Sequence, residues 1–305
     1  YIDDVCSRIQ LSRPLKIVID CGNAVPGKIA PTLLQELGCN VHPIFCEIDG
    51  SFPNHHPDPT VPESLTVLAS TVLEKNADIG IALDGDGDRV GIVTNRGNFV
   101  DADRLLMVLV QSILPNYSGR TVVFDVKCSS KLVTLVEQFG GSPVMHRSGH
   151  SFMKQKMQET NAILGGEFAA HIFIKDNWFG FDDGLYVAAR LLKIISESAT
   201  SSDEIFNQYV TGFSTPEIKV EVREERKFSL MDRLLELANF PAAKLITLDG
   251  LRVEYPDGWG LVRASNTSPA LLLRFEADSE EKMIEIQTQF RSLILSADKN
   301  LEIGF

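Results

Sequence analysis

Hydrophobic and polar positions along the chain fall into two textures that meet near Ser214. Before it, short unbroken apolar runs alternate with stretches of helical spacing. "LKIVIDCGNAVPGKIAPTLLQELGCNVHPI" reads as strand, glycine-bearing loop, helix, turn and strand. The strand is a continuous branched-apolar run, as expected in a sheet covered on both faces. Leu33, Leu34 and Leu37 give the helix a buried stripe, and Gly38 suits its C-terminus. Residues 63–75 predict a second helix, "ADIGIAL" a third strand, "RVGIVTN" a fourth, and "NRGN" at 95–98 a turn. "DADRLLMVLVQSIL" predicts a helix capped by Asp101 or Asp103.

The pattern then recurs. "RTVVFDVKCSSKLVTLVEQFGGSPVM" again gives strand, Asp, loop, helix, Gly and strand. Asp20 and Asp125 fall at matching strand ends, and Gly38 and Gly140 at matching helix ends. Internal duplication and ordinary βαβ grammar both account for this. "SFMKQKMQE" and "DDGLYVAARLLKIISES" predict helices, with "SESATSSDE" a loop that supplies a helix cap. Beyond Ser214, "PEIKVEVRE" alternates as a half-exposed strand does. "FSLMDRLLELAN" reads as a helix, "KLITLDGLRVEYPDGWGLVRAS" as strands and turns, "ALLLRFEAD" as a strand and "SEEKMIEIQTQFRSLIL" as a long amphipathic helix. The expected architecture is two similar α/β mixed-sheet domains, 1–98 and 99–211, followed by a smaller α+β domain, 212–305.

With 305 residues, 44% of them hydrophobic, the chain can bury a sizeable core and more than one domain is expected. The formal net charge of -12 disfavours nucleic acid or an anionic membrane as partner of the bulk surface. No apolar run reaches the roughly 18 residues that a membrane helix needs. Five cysteines, at 6, 21, 39, 46 and 128, fit neither a zinc knuckle nor a disulfide lattice. Buried free thiols and a cytoplasmic location are the expectation. "YIDDVCSRIQLSRP" has no basic start before an apolar core, so it is no signal peptide. It reads as a helix tail and linker that continue something upstream.

The densest chemistry lies in "ALDGDGDRVGI". Asp84, Asp86 and Asp88, at i, i+2 and i+4, repel one another in a short loop unless a hard cation joins them. Oxygen ligands without Cys or His nearby favour Mg2+ over zinc. A calcium EF-hand would need Gly and Glu where Arg89 and Asn95 stand. A D-x-D-x-T phosphatase pattern would need Thr in place of Asp88. Three protein carboxylates leave coordination open for a phosphate oxygen, which Arg89 would face as well.

Other stretches carry weaker signals. In "VRASNTSP", Arg263, Ser265, Asn266 and Thr267 fit a phosphate cradle or an ordinary polar turn. In "GGEFAAH", Glu167 can accept sugar hydroxyls, while His171 fits a core imidazole better than an acid or base. Asp182 and Asp183 fit caps of the following helix. His150 follows Gly149 at a helix start, where anions also bind. Lys127 sits beyond a strand end, where α/β ligand sites gather. His55, His56 and Asp58 in "FPNHHPDPTVPE" suggest zinc, but the neighbouring prolines favour a stiff connector.

Taken in order, these stretches resemble the α-D-phosphohexomutases, nearly end to end. "DGDGDR" resembles the family's metal loop, "GEFAAH" its sugar loop (G-E-x-S-G-H) and "RASNTSP" its phosphate loop (R-x-S-N-T-x-P). The resemblance implies four domains around one cleft, closed by movement of the last. Three are similar α/β units and the fourth is an α+β domain like the TATA-binding protein. The chain would then supply domains two, three and four. It implies a phosphoserine that phosphorylates a 1- or 6-phosphosugar, a bisphosphorylated sugar that turns around, and return of the other phosphate to the serine.

The resemblance also assigns roles. Mg2+ would sit on Asp84, Asp86 and Asp88. Arg89, Lys127, His150 and His171 would line the reacting region, His171 as the proton-transfer residue. Glu167 would hold the sugar 3- and 4-hydroxyls. Arg263, Ser265, Asn266 and Thr267 would grip the distal phosphate. Hexose 1-phosphates, 6-phosphates and 1,6-bisphosphates are the implied partners, together with the protein's own first domain, in a monomer.

Two departures stand out. No T-A-S-H-N-P-like phosphoserine segment occurs in the 305 residues, so this piece alone should lack mutase turnover. Ala169 replaces the usual Ser of the sugar loop, removing one substrate contact, and Ala170 replaces Gly. A complete protein is expected to interconvert mannose 6-phosphate and mannose 1-phosphate, and the glucose pair. The alternatives are a non-catalytic phosphosugar-binding protein and a phosphoglucosamine mutase, whose sugar loop more often carries Gln where Phe168 stands.

Overall fold

A computed structural model describes residues 1–210 and 212–305; Thr211, the expected end of the second domain, lies outside them. The described residues form two compact units. One comprises Tyr1–Met145 with Gly149–Tyr209, and the other His146–Ser148 with Val210–Phe305.

The first unit opens with α1 (Ile2–Arg8) and β1 (Lys16–Asp20), followed by α2 (Ala30–Glu36), β2 (Asn40–Ile44) and α3 (Thr66–Lys75). Then come β3 (Ile79–Leu83), β4 (Val90–Thr94), β5 (Phe99–Val100) and α4 (Ala102–Ile113). The sheet order is β2-β1-β3-β4-β5; β1 lies parallel to β2 and β3, and β4 and β5 run antiparallel. Strands β3 and β4 are buried along their whole length, as their unbroken apolar runs require.

A second sheet follows the same plan. Strand β6 (Thr121–Asp125), α5 (Lys131–Gln138), β7 (Ser142–His146), α6 (His150–Thr160), β8 (Leu164–Gly166), β9 (Ile172–Ile174), α7 (Gly184–Glu197) and α8 (Ser202–Asn207) come in turn. Its order is β7-β6-β8-β9, with β6 parallel to β8 and β9 antiparallel to β8. Thus β3–β4 in the first sheet and β8–β9 in the second are equivalent hairpins. One apolar core spans both sheets, including Ile17, Ile81, Leu109, Phe124 and Leu192. Each such buried aliphatic side chain contributes about 1.5–3 kcal/mol. Helix α7 packs on β3, β4 and β9, tying the two hairpins to one support.

The second unit is antiparallel. It contains β10 (Phe213–Ser214), β11 (Ile218–Glu221), α9 (Lys227–Leu237), β12 (Lys244–Ile246), β13 (Leu251–Tyr255), β14 (Gly258–Ala264), β15 (Ala270–Ala277) and α10 (Glu280–Ala297). Strand order is β10-β15-β14-β13-β12, with β11 also paired to β15. Val262, Leu273 and Phe275 of the sheet pack with Leu234, Phe290 and Ile294 of the helices.

Two capping expectations need correction. Helix α4 starts after Asp101, yet no side chain caps it; Asp103 instead accepts from the Ser129 amide at 2.9 Å. Asp183 does cap α7, accepting from Tyr186 N at 2.9 Å, but Asp182 does not. It receives Lys154 at 2.9 Å and pairs with His150 at 3.0 Å. A cationic partner at hydrogen-bond range orients Asp182 away from the helix end. The Ser/Thr-rich loop does supply a cap, a full capping box between Ser201 and Glu204. Among the described residues all five cysteines are free, three of them buried. No helix of the described residues is long and apolar enough to cross a membrane.

Candidate active site

The acidic loop joins β3 to β4. A hairpin between two buried strands holds its ends fixed, and Gly87 takes a left-handed turn at φ 84°. One carboxylate oxygen from each of Asp84, Asp86 and Asp88 lies within 4.8 Å of the others. Asp84 is the buried, structured member. Its Oδ1 accepts from the amides of Gly87 at 3.0 Å and Arg89 at 3.1 Å, and its Oδ2 from Arg89 Nε at 2.8 Å. Burial pushes the Asp84 pKa up in spite of these bonds. Asp86 is exposed, and Asp88 is half-buried. The contact with His171 holds Asp88 below the usual carboxylate range against the cost of burial.

The proline-rich loop after β2 is more than a connector. His55 Nε2 lies 3.1 Å from Oδ2 of the buried Asp20 at the end of β1. Asp58 Oδ1 receives Arg89 Nη1 at 3.1 Å, together with the Thr60 hydroxyl at 2.7 Å. Burial works against the Asp58 carboxylate, but Thr60 and Arg89 outweigh it and hold its pKa low.

The loop of Glu167 to His171 joins β8 to β9, so it is the counterpart of the acidic loop. Glu167 N donates to His171 O at 2.9 Å and Ala170 N to Glu167 O at 3.0 Å, a tight turn. Ala170 sits at φ 72°, a left-handed conformation that glycine adopts more easily. A β-bridge between Arg89 and His171 joins the two hairpin loops directly. Glu167 is buried, and its Oε1 accepts from Gly149 N at 2.6 Å. His171 lies between two carboxylates, Nε2 3.5 Å from Asp88 and Nδ1 3.4 Å from Glu167. Glu167 Oε2 and His171 Nδ1 are buried and lack a hydrogen bond within the protein. Burial opposes a charged His171, yet Asp88 and Glu167 prevail and raise its pKa to about 9. The His150 ring stacks on His171, with centroids 5.5 Å apart.

Helix α7 closes this arrangement from behind. Gly184 N donates to Gly87 O at 2.9 Å. A Cβ at Gly184 would stand 2.6 Å from Arg89 O, so only glycine permits the approach. Lys127 is buried just past β6, its Nζ 6.0 Å from the Phe168 ring centre.

Asp88, His150 and Asp182 also offer atoms within 4.8 Å of one another. Lys154 Nζ already stands 2.9 Å from Asp182 and 3.3 Å from His150 there, so a cation is in place.

In the second unit, Arg263 stands near the end of β14, and the connection to β15 carries the following polar run. Ser265 is buried, and its Oγ accepts from the amides of Thr267 at 3.3 Å and Ser268 at 3.1 Å. Asn266 and Thr267 are exposed. The buried Lys227 fastens the loop from below, donating to Ser268 O at 3.2 Å. Asp249 receives Arg263 Nε at 3.0 Å.

The structure therefore brings Asp84, Asp86, Asp88, Arg89, Glu167, His150 and His171 into one contact network in the first unit, with Ala169 on its sugar-loop turn. In the second, Arg263 at the end of β14 adjoins the loop that carries Ser265, Asn266 and Thr267. Sequence reasoning missed Asp249, Lys154 and Lys227, and weighed Asp58 only as part of a zinc cluster or a stiff connector. Of these, only Asp249 had a local signal, a turn-forming Asp-Gly pair before a strand.

Known proteins are similar to this chain in sequence and fold. The sequence matches phosphoglucomutase/phosphomannomutase alpha/beta/alpha domain II over residues 1–97, alpha/beta/alpha domain III over 101–213 and the C-terminal domain over 217–293. The chain belongs to the phosphoglucomutase/phosphomannomutase family. It is 49% identical over 305 residues to a phosphomannomutase/phosphoglucomutase of Pseudomonas aeruginosa, covering 100% of this chain and 66% of that protein. A phosphoglucomutase of Neisseria meningitidis is 46% identical over 298 residues, covering 97% of this chain and 65% of its own. The crystal structure of a family protein from Burkholderia thailandensis superposes with a TM-score of 0.93 at 44% identity, covering 100% of this chain and 65% of that one. The chain thus spans about two thirds of the length of these relatives, 65–66%.

Proposed function

We propose that the protein works as a phosphohexomutase, interconverting the 6- and 1-phosphates of mannose and of glucose through a hexose 1,6-bisphosphate. The phosphoryl donor is a phosphoserine of the kind that the family resemblance implies, which these 305 residues do not contain. The observation that supports the reading most is the direct bridge between Arg89 and His171, which joins the acidic loop to the sugar loop.

The donor set fits a magnesium ion. Hard carboxylate oxygens of Asp84, Asp86 and Asp88 within 4.8 Å of each other match its preferences. These three residues would hold Mg2+, and when bound it neutralises charge on phosphoryl oxygens. Arg89, fixed at Nε and Nη1 by Asp84 and Asp58, presents the rest of its guanidinium to the same phosphoryl group. His171, set between Asp88 and Glu167, takes the proton of the attacking sugar hydroxyl in its neutral form and returns one to the leaving sugar oxygen in its protonated form. Glu167 Oε2 receives sugar hydroxyls, which would satisfy that buried oxygen. Lys127 and His150 add positive charge to the reacting region. Arg263, Ser265, Asn266 and Thr267 take the phosphate that is not being transferred.

Glu167 does not separate glucose from mannose. The C4 hydroxyl is common to glucose and mannose, so both phosphates are substrates. A phosphoglucosamine mutase is disfavoured by Phe168. Phosphorus NMR of mannose 1-phosphate and glucose 1-phosphate, with the chain joined to a family phosphoserine domain, tests the assignment. Conversion of both is expected, with none by the 305-residue chain alone; failure with both sugars rejects it.

A further inference from the structure

The loop "FPNHHPDPT" is packed against the acidic loop more closely than a connector needs. A Cβ at Gly22 would stand 2.8 Å from Pro57 Cβ, and one at Gly91 2.7 Å from Pro59 Cβ. Two glycines, one in the turn past β1 and one in β4, therefore make room for the two prolines around Asp58. Other bonds fasten the loop without its carboxylate. His55 reaches Asp20 at 3.1 Å, and the Ser64 hydroxyl donates to His56 O at 3.2 Å. Held between fixed prolines, Asp58 is aimed at Arg89.

The consequence concerns Arg89. Its Nε donates to Asp84 Oδ2 at 2.8 Å and its Nη1 to Asp58 Oδ1 at 3.1 Å. A planar guanidinium gripped at two nitrogens has its rotation fixed, with Nη2 left to point elsewhere. Asp84 is also a member of the acidic triad. An arginine on Asp84 alone would set a full positive charge against any cation there.

We propose that Asp58 is a positioning residue: it fixes the rotation of Arg89 and shares its charge, so that Asp84 can serve a divalent cation. The proposal rests on the phosphohexomutase reading for its purpose, but its geometry lies wholly in residues of this chain. Asp58→Asn keeps the amide-to-side-chain turn with Thr60 and removes only the charge.

The test uses the 305-residue chain. In NMR, the Arg89 Nε–Hε signal is expected to shift and broaden in Asp58→Asn. Mn2+ affinity, measured by calorimetry, is expected to fall about tenfold, as for outer-shell partners of metal ligands. On an Arg89→Gln background the same Asp58→Asn change should leave Mn2+ affinity unaltered. An unmoved Arg89 signal in folded Asp58→Asn, or an equal loss of Mn2+ affinity on both backgrounds, overturns the proposal. If Asp58→Asn does not fold, Asp58→Glu takes its place: the signal should shift by a smaller amount, and an unchanged signal overturns the idea. Failure of the wild-type chain to bind glucose 1,6-bisphosphate would instead count against the mutase reading, leaving the Arg89 signal where it is.

Discussion

Asp249 and Arg263 form a two-point pair in the second unit: Arg263 Nε donates to Asp249 Oδ2 at 3.0 Å and Nη2 to Oδ1 at 3.3 Å. The same Oδ2 accepts from Ser148 N at 3.0 Å. Gly250, at φ 85°, allows the approach, since a Cβ there would lie 2.3 Å from Val262 O. Arg263 in turn opens the loop that the account assigns to a phosphate.

Asp249→Asn should therefore act on ligand and stability together. Charge-assisted bonds of this kind are worth about 1.5–3 kcal/mol. Thermal unfolding should show a loss in that range. Calorimetry should show glucose 1,6-bisphosphate binding weakened by about tenfold or more, because the fork is no longer aimed. Unchanged affinity would mean that Arg263 needs no orienting partner.

Much of this was legible in the sequence, for physical reasons. Buried strands are written as unbroken apolar runs, so β1, β3, β4 and β6 could be read directly. The repeat of Asp20 by Asp125, and of Gly38 by Gly140, announced two sheets of one plan, and their strand orders agree. "DGDGDR" was legible because three adjacent carboxylates are costly without a cation. Asp58 was not, because its partner, Arg89, stands 31 positions away. Asp249 lies 101 positions from Ser148, and nothing local records that contact. The capping role of Asp103 failed for the same reason: Ser129, 26 residues on, takes its carboxylate.

Metal addition should stabilise the chain through its acidic loop. Magnesium at one hundred times its dissociation constant raises stability by about 2.7 kcal/mol if only the folded state binds it. A rise in Tm with Mg2+ is expected for the wild type. Asp86 is exposed, so Asp86→Asn should leave the metal-free Tm close to wild type while abolishing most of the rise. An undiminished rise in that variant would place the ion elsewhere.

Ala170 offers a test in the opposite direction. Its φ of 72° is unfavourable for a residue with a Cβ, by roughly 1–2 kcal/mol. Part of the gain from Ala170→Gly is lost to the greater freedom of the unfolded chain. A net stabilisation of up to about 1 kcal/mol, seen as a Tm higher by about 2–4 °C, is expected. A lower Tm would show that the methyl group, buried in the turn, contributes more than the strain costs.

The cysteines should react in a set order. The proximity of the buried Cys21 to the half-buried Cys46 lowers the Cys46 pKa against the effect of burial. The same proximity, with burial behind it, raises that of Cys21. Burial likewise pushes Cys39 up to about 11 and raises Cys6. Alkylation followed by peptide mass spectrometry should label Cys46 first at neutral pH. Its rate should level off at a lower pH than that of Cys6, since a lowered thiol pKa completes its ionisation earlier. Cys6 reacting first would contradict the assignment.

The central claim is the proposal that the sugar loop of the first unit and the phosphate loop of the second each bind a hexose phosphate. Calorimetric titration of glucose 1,6-bisphosphate into the chain with Mg2+ tests it most directly, using wild type, Glu167→Gln and Arg263→Ala. The account predicts saturable binding by the wild type, weakened by each substitution by about tenfold or more. Absence of saturable binding, or binding indifferent to both substitutions, would contradict it.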